Sequence, residues 1–166
     1  MANMPVWLAL FLAAAAPVSA AAQSGSPSVP ADPPAASVAD SEAIRQTARD
    51  YIEGWYTADS TRMARAVHPE LAKRIVTRDG SGVSYLSETG ATSLVRATQA
   101  GYGGDVPAAA RQVDVTILDI YGDVASVRLR STKLIDYMHL ARWDGRWKII
   151  NVLWDYRPGR RPAPKR

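Results

Sequence analysis

Between Asp136 and Tyr156 the chain reads DYMHLARWDGRWKIINVLWDY, two runs rich in aromatic and branched residues joined by Asp144-Gly145. An Asp-Gly pair in that setting favours a type I′ turn, whose two central residues both take positive φ, and such a turn closes a two-residue hairpin. Trp143 then faces Arg146, and every later pair is fixed, because successive strand residues point to opposite faces. One face is predicted to carry Asp136, Met138, Leu140, Arg142, Trp147, Ile149, Asn151, Leu153 and Asp155. The other carries Tyr137, His139, Ala141, Trp143, Arg146, Lys148, Ile150, Val152 and Trp154. Neither face is cleanly polar. A sheet with one side in water would alternate, so this ribbon is expected to be curved, covering helices on one side and meeting a partner on the other.

A second period-two stretch precedes it. In VDVTILDIYGDVASVRLR, Gly122-Asp123 places glycine first, as a type II′ turn requires. Pairing Tyr121 with Val124 predicts a core face of Leu118, Ile120, Ala125, Val127 and Leu129.

Upstream the period is helical. Ile44, Ala48, Tyr51, Ile52 and Trp55 form one stripe of a 3.6-residue repeat, with Asp40 or Ser41 as N-cap, and predict a helix from about Ser41 to Ala58. Asp59 caps a shorter helix with Met63, Ala66 and Val67 inward; Pro69 marks its end, and Glu70 to Lys73 adds a turn. Short strands are expected at Arg74–Arg78, on a sheet edge, and at Val83–Leu86, then a helix over Ala91–Ala100 capped by Thr89. Gly101, Gly103 and Gly104 end it.

The chain has 166 residues, enough for one domain with a proper core. Val6–Ala16 (VWLALFLAAAA) is apolar and uncharged, with small residues following at Val18–Ala22, which reads as a signal peptide over residues 1–22 and hence export to a periplasmic or extracellular space. Residues 23–39, built of Ser, Pro, Ala and Gly, read as a disordered linker. The domain then spans 40–157, and 158–166 is a basic disordered tail. Absence of cysteine means that the fold rests on packing without disulfides. Of the formal +4, five cations crowd into the last ten residues, leaving the rest of the chain slightly negative. Nucleic acid is therefore not an expected partner, and membrane contact is expected only through the signal peptide or the tail.

The segments YIEGWYTAD (51–59), HPELAKRIV (68–76), SLVRAT (93–98) and DYMHLARWDGRWKIINVLW (136–154) resemble the nuclear transport factor 2-like superfamily, and within it the branch named for lumazine binding. That resemblance spans Asp40 to Arg157. It implies an α+β fold: a cone of helices packed in a strongly curved antiparallel or mixed sheet, open at one end to a pocket, often dimerising through the sheet's outer face. It does not imply a reaction, because the architecture hosts both enzymes and non-catalytic domains.

Two functional readings follow. In the first, the pocket binds a small, partly apolar molecule, or the domain is a dimeric interaction module; Trp55, Tyr56, Tyr85, Tyr102 and Trp147 are the candidate walls, with Arg142 and Asn151 as orienting polar groups. In the second, Asp136 and His139 serve an acid–base isomerase or dehydratase, with a tyrosine hydroxyl stabilising a developing oxyanion. Three positions apart on an ideal strand, those two side chains point to opposite faces, and they share a site only if a bulge breaks the alternation. His68, ahead of Pro69, is expected to cap a helix end. With two histidines and no cysteine, no spacing suggests a metal site, and no motif suggests a cofactor. GYGGD follows a helix instead of opening one, so it is no phosphate cradle.

Overall fold

A computed structural model of the chain describes residues 37–161. The expected signal peptide, most of the linker and the end of the tail lie outside the described residues. Within them the order is α1 (Val38–Thr57), α2 (Ser60–Ala66), β1 (Val67–Arg78), β2 (Ser84–Gly90), α3 (Ala91–Gln99), a short 3₁₀ turn (Ala108–Ala110), β3 (Val113–Tyr121), β4 (Val124–Ser131), β5 (Leu134–Trp143) and β6 (Arg146–Tyr156). The six strands form one mixed sheet ordered β2-β1-β6-β5-β4-β3, in which only β1 and β6 run parallel. It is an α+β cone, with the helices packed inside the curve.

Helix α1 starts earlier than expected and takes in the end of the predicted linker. Ser37, not Asp40 or Ser41, is the cap, its hydroxyl accepting from Asp40 N at 3.0 Å. The anticipated stripe is the buried one: Ile44, Ala48, Tyr51 and Ile52 face the sheet, with Trp55 partly covered. Asp59 caps α2 by accepting from Arg62 N. Gly54 lets the two helices meet, since a Cβ there would lie 3.1 Å from Asp59 O and 3.2 Å from Met63 N.

The segment after α2 departs from expectation. Glu70–Lys73 is strand, not a helical turn, and β1 lies inside the sheet while the exposed edge is β2. His68 is likewise on β1 and caps no helix; its Nδ1 accepts from Glu70 N, and its ring meets Trp143 edge-on at 4.7 Å. Between Val67 and Ala72 the β1–β6 register slips, which absorbs Pro69, a residue without an amide to donate. Helix α3 begins after Gly90, its cap and the last residue of β2, and Thr89, the expected cap, lies within β2.

Both hairpin turns form as their dipeptides demand. Asp144 and Gly145 take φ of 48° and 74°, pairing Trp143 with Arg146, and Gly122 takes φ of 55°, pairing Tyr121 with Val124. Away from the turns, each ladder carries a bulge. The β3 register shifts at Leu118, so Ile117 faces Val127 and Leu118, expected in the core, is half exposed. The β6 register shifts at Ile150, so His139 pairs with Asn151 and Asp136 with Trp154. From there on the predicted faces are exchanged: Val152 and Trp154 turn inward, Asn151 and Leu153 outward. Bulges of this kind bend a strand and sharpen its twist, and they curl the sheet around α1.

Candidate functional site

At the wide end of the cone, the last turns of α1, the loop after α3, the β4–β5 turn and the end of β6 enclose a cavity of about 260 Å³. Its walls are mostly apolar: Ile52, Trp55, Tyr56, Val106, Leu134 and Trp154, with Ser131 among them. Tyr102, Asp105, Lys133, Tyr156 and Arg160 form the rim. Tyr56 is fixed by its own hydroxyl, which accepts from Thr132 N at 3.0 Å, tying α1 to the β4–β5 turn. Arg111 lies over the Tyr56 ring and donates to the Tyr56 carbonyl at 2.9 Å. Gly103 explains the glycine-rich stretch. A Cβ on it would sit 2.3 Å from the Trp55 carbonyl oxygen and 2.4 Å from its indole, so only glycine lets this loop close against Trp55. Across the rim, Lys133 forms an ion pair with Asp105.

Trp154 separates this cavity from a buried polar cluster. One side of its ring lines the cavity, and Lys73 Nζ lies 4.5 Å from its centroid. Lys73 donates to Asp136 Oδ1 at 2.6 Å and to the Tyr51 hydroxyl at 2.7 Å, while Tyr51 donates to the same carboxylate oxygen at 3.3 Å. Asp136 is wholly buried, Tyr51 3 % and Lys73 7 % exposed. Burial pushes the Lys73 ammonium below its usual range while Asp136 pulls it back; burial, reinforced by Asp136, raises the Tyr51 phenol well above its own. Asp136 Oδ2 is also buried and has no hydrogen-bond partner among the described residues. Tyr51, Lys73 and Asp136 are thus committed to one another. As an ion pair this cluster costs desolvation on both sides and is weak evidence of added stability, but it is intolerant of losing one partner.

Of the residues singled out in the sequence, Trp55, Tyr56 and Tyr102 meet at this cavity. The others do not. Asp136 and His139 remain on opposite faces of β5, because the bulge that shifts the ladder lies on β6 and leaves the β5 alternation intact. His139 is exposed on the outer face, where Asn151 Nδ2 donates to its Nδ1 at 3.3 Å; Asn151 Oδ1 accepts from Arg74. Tyr85 projects from the edge strand, half exposed. Arg142 and Trp147 stand at the narrow end, where both donate to Asp40 Oδ1, at 2.6 and 3.3 Å, and the guanidinium lies 4.8 Å from the indole centroid. Ser37 and Arg142 together hold the Asp40 carboxyl down to about 2.

Lys73, Tyr51 and Trp154 were not read as site residues. One signal for Lys73 existed, since Leu71, Lys73 and Ile75 share one phase of a strand and all three are buried. Among the described residues no group of three His, Cys, Asp or Glu side chains converges on a metal position, and no helix is long and apolar enough to cross a membrane.

Three helices inside a curled six-stranded sheet, open at the wide end, define the nuclear transport factor 2-like architecture. Solved structures share it: a nuclear transport factor 2-like protein of unknown function from Shewanella baltica is 21 % identical, with a TM-score of 0.57 over 75 % of this chain and 98 % of its own. A counterpart from Methylobacillus flagellatus is 20 % identical, with a TM-score of 0.59 over 76 % and 99 %. A protein of unknown function with a cystatin-like fold from Nostoc punctiforme is 14 % identical, with a TM-score of 0.53 over 74 % and 95 %. No curated protein matches the sequence. The chain belongs to the family described as "Putative lumazine-binding", which matches residues 39–155.

Proposed function

We propose that the protein is an exported binding domain that takes a small, flat, partly apolar molecule into the wide-end cavity and does not turn it over. The observation that carries this reading is the cavity itself: three aromatic walls, Trp55, Tyr56 and Trp154, around about 260 Å³, just under the ~300 Å³ at which typical ligand pockets begin and suited to one or two rings. The family description and the aromatic lining agree with a small-molecule ligand. An acid–base role is disfavoured by the separation of Asp136 from His139 and by Trp154 standing between the cavity and the buried cluster. Export is supported by the apolar run Val6–Ala16 with its small-residue sequel; N-terminal sequencing of the released protein should begin near residue 23 if it is correct.

Titration with a panel of one- and two-ring compounds should give a saturable change in tryptophan fluorescence and a raised melting temperature. Trp55→Ala or Trp154→Ala should weaken both. A panel without response, or a response unchanged in both variants, would overturn the reading.

A second reading, that two copies associate through the outer face of the sheet, has its own support. Tyr137 and Leu153 are cross-strand partners there, as are Val76 and Leu86 on β1 and β2, and all four are about half exposed. Leu153→Glu should convert a sedimenting dimer to a monomer; a wild-type chain that sediments as a monomer at high concentration would dismiss the idea.

A further inference from the structure

Behind the rim of the cavity runs a groove of about 570 Å³ between the 3₁₀ turn, β4 and the end of β6. Three arginines line it, Arg130, Arg157 and Arg160, and no carboxylate does. Arg160 lines both the groove and the cavity, so one side chain borders the two spaces. Near Arg160 the acids are largely spent: Asp105 pairs with Lys133, and Asp155 with Arg161. Asp114 stands across the β3–β4 ladder from Arg130 but forms no ion pair with it. Arg157 is turned into the fold, donating to Gln112 Oε1 at 2.7 Å and to the Ser131 carbonyl at 3.1 Å, and so presents fixed positive charge to the groove. The guanidinium groups of Arg130 and Arg160 have no hydrogen-bond partner among the described residues.

Resting on the binding role proposed above, we infer that the ligand is an amphipathic anion. Its flat apolar body lies between Trp55, Tyr56 and Trp154, and its carboxylate, sulfonate or phosphate meets Arg160 at the rim, with Arg130 beyond it in the groove adding positive charge. The division of labour follows from the two linings. Apolar walls reward area removed from water but cannot compensate a buried charge. Guanidinium groups in a rigid fork match a planar or tetrahedral oxyanion, and a charge-assisted hydrogen bond at a part-open site is worth about tenfold or more in affinity. A neutral ligand of the same shape would leave both arginines as they are, without this gain. A cationic ligand would be repelled by the arginines near the rim.

The test compares two fluorescent probes that share a two-ring naphthalene body, naphthalene-2-sulfonate and the uncharged 2-methylnaphthalene, on the exported chain. Both should bind, the sulfonate about tenfold more tightly and displacing the uncharged probe. Raising ionic strength from about 0.02 to about 0.5 M should erode that preference without weakening the uncharged probe. Arg130→Gln/Arg160→Gln, with an unchanged melting temperature, should bring the two affinities within about threefold, while Trp154→Ala weakens both. Equal affinities in the wild type, or a sulfonate that binds without displacing its neutral analogue, would overturn the inference and leave the cavity reading standing. If neither probe binds, both readings fall.

Discussion

The two ends of the cone handle charge in opposite ways. At the narrow end three carboxylates are answered: Asp40 by Arg142, Trp147 and Ser37, Asp50 by Arg62, Arg65 and Gln46, Asp123 by Arg142. These bonds tie α1 to α2 and to the turns of both hairpins. At the wide end Arg130 and Arg160 have no such answer, and beside Arg160 the aromatic walls enclose space instead of filling it. Satisfied polar groups define one structure, whereas unsatisfied ones beside a cavity define something that structure can hold. The difference supports the wide end as the binding end proposed above, without any appeal to a reaction.

The sharpest break in that contrast would come from disturbing the interior cluster between the two ends. Lys73→Met strands the Asp136 carboxylate in the core and should cost about 3–5 kcal/mol in urea unfolding at neutral pH. Lys73→Met/Asp136→Leu should recover most of that loss, because an apolar pair of similar volume is often no worse than a buried ion pair. A single variant that unfolds within about 1 kcal/mol of wild type would mean that Asp136 finds other partners. Next in size, Gly103→Ala forces the loop off Trp55 and should cost about 1–3 kcal/mol while also weakening whatever the cavity binds. The narrow end should then show itself in acid. Asp40 is held near 2, and Asp50, although burial pushes its carboxyl up, is brought below the ordinary range by Arg65, Arg62 and Gln46. A depressed carboxyl stabilises the fold above its unfolded value near 3.8 and ceases to do so as pH falls through the folded value. The melting temperature should therefore decline between about pH 4 and pH 2, and Asp40→Asn/Asp50→Asn should start lower and follow a flatter profile. An identical decline in that double variant would assign the acid sensitivity elsewhere.

How far the sequence carried these conclusions depends on the range of each signal. Turn chemistry is local, so Asp144-Gly145 and Gly122-Asp123 could be read directly, and with them the pairs nearest each turn. A bulge leaves no dipeptide signature here. Leu118 and Ile150 look like any other strand residues, yet each shifts the phase of all that follows, and this is why Asn151 was expected beside Trp147 and Trp154 away from Asp136. Helical periodicity identified the buried stripe of α1, including Tyr51, but periodicity cannot distinguish a tyrosine that fills space from one that hydrogen-bonds a lysine on a distant strand. Lys73 was hidden by Pro69, which argued for a helix end where the chain instead enters a strand through an irregular register. The wide-end arginines were hidden by composition: a Pro- and Arg-rich terminus reads as a solvated tail, but Arg160 lines the cavity and Arg161 lies over Tyr156.

The smallest expected effect is the most discriminating. Arg130→Gln and Arg160→Gln should each change unfolding free energy by no more than about 0.5 kcal/mol, because neither side chain has a partner to lose. Arg142→Gln makes the same chemical change at the narrow end, where the guanidinium bridges Asp40 and Asp123 and stacks on Trp147, and it should lower the melting temperature measurably. Thermal melts of the three variants side by side therefore test the contrast itself. Equal losses in all three would mean that the wide-end arginines serve the fold as the narrow-end one does. A loss confined to Arg142→Gln leaves Arg130 and Arg160 without a structural duty, as the anion-binding role inferred for them requires.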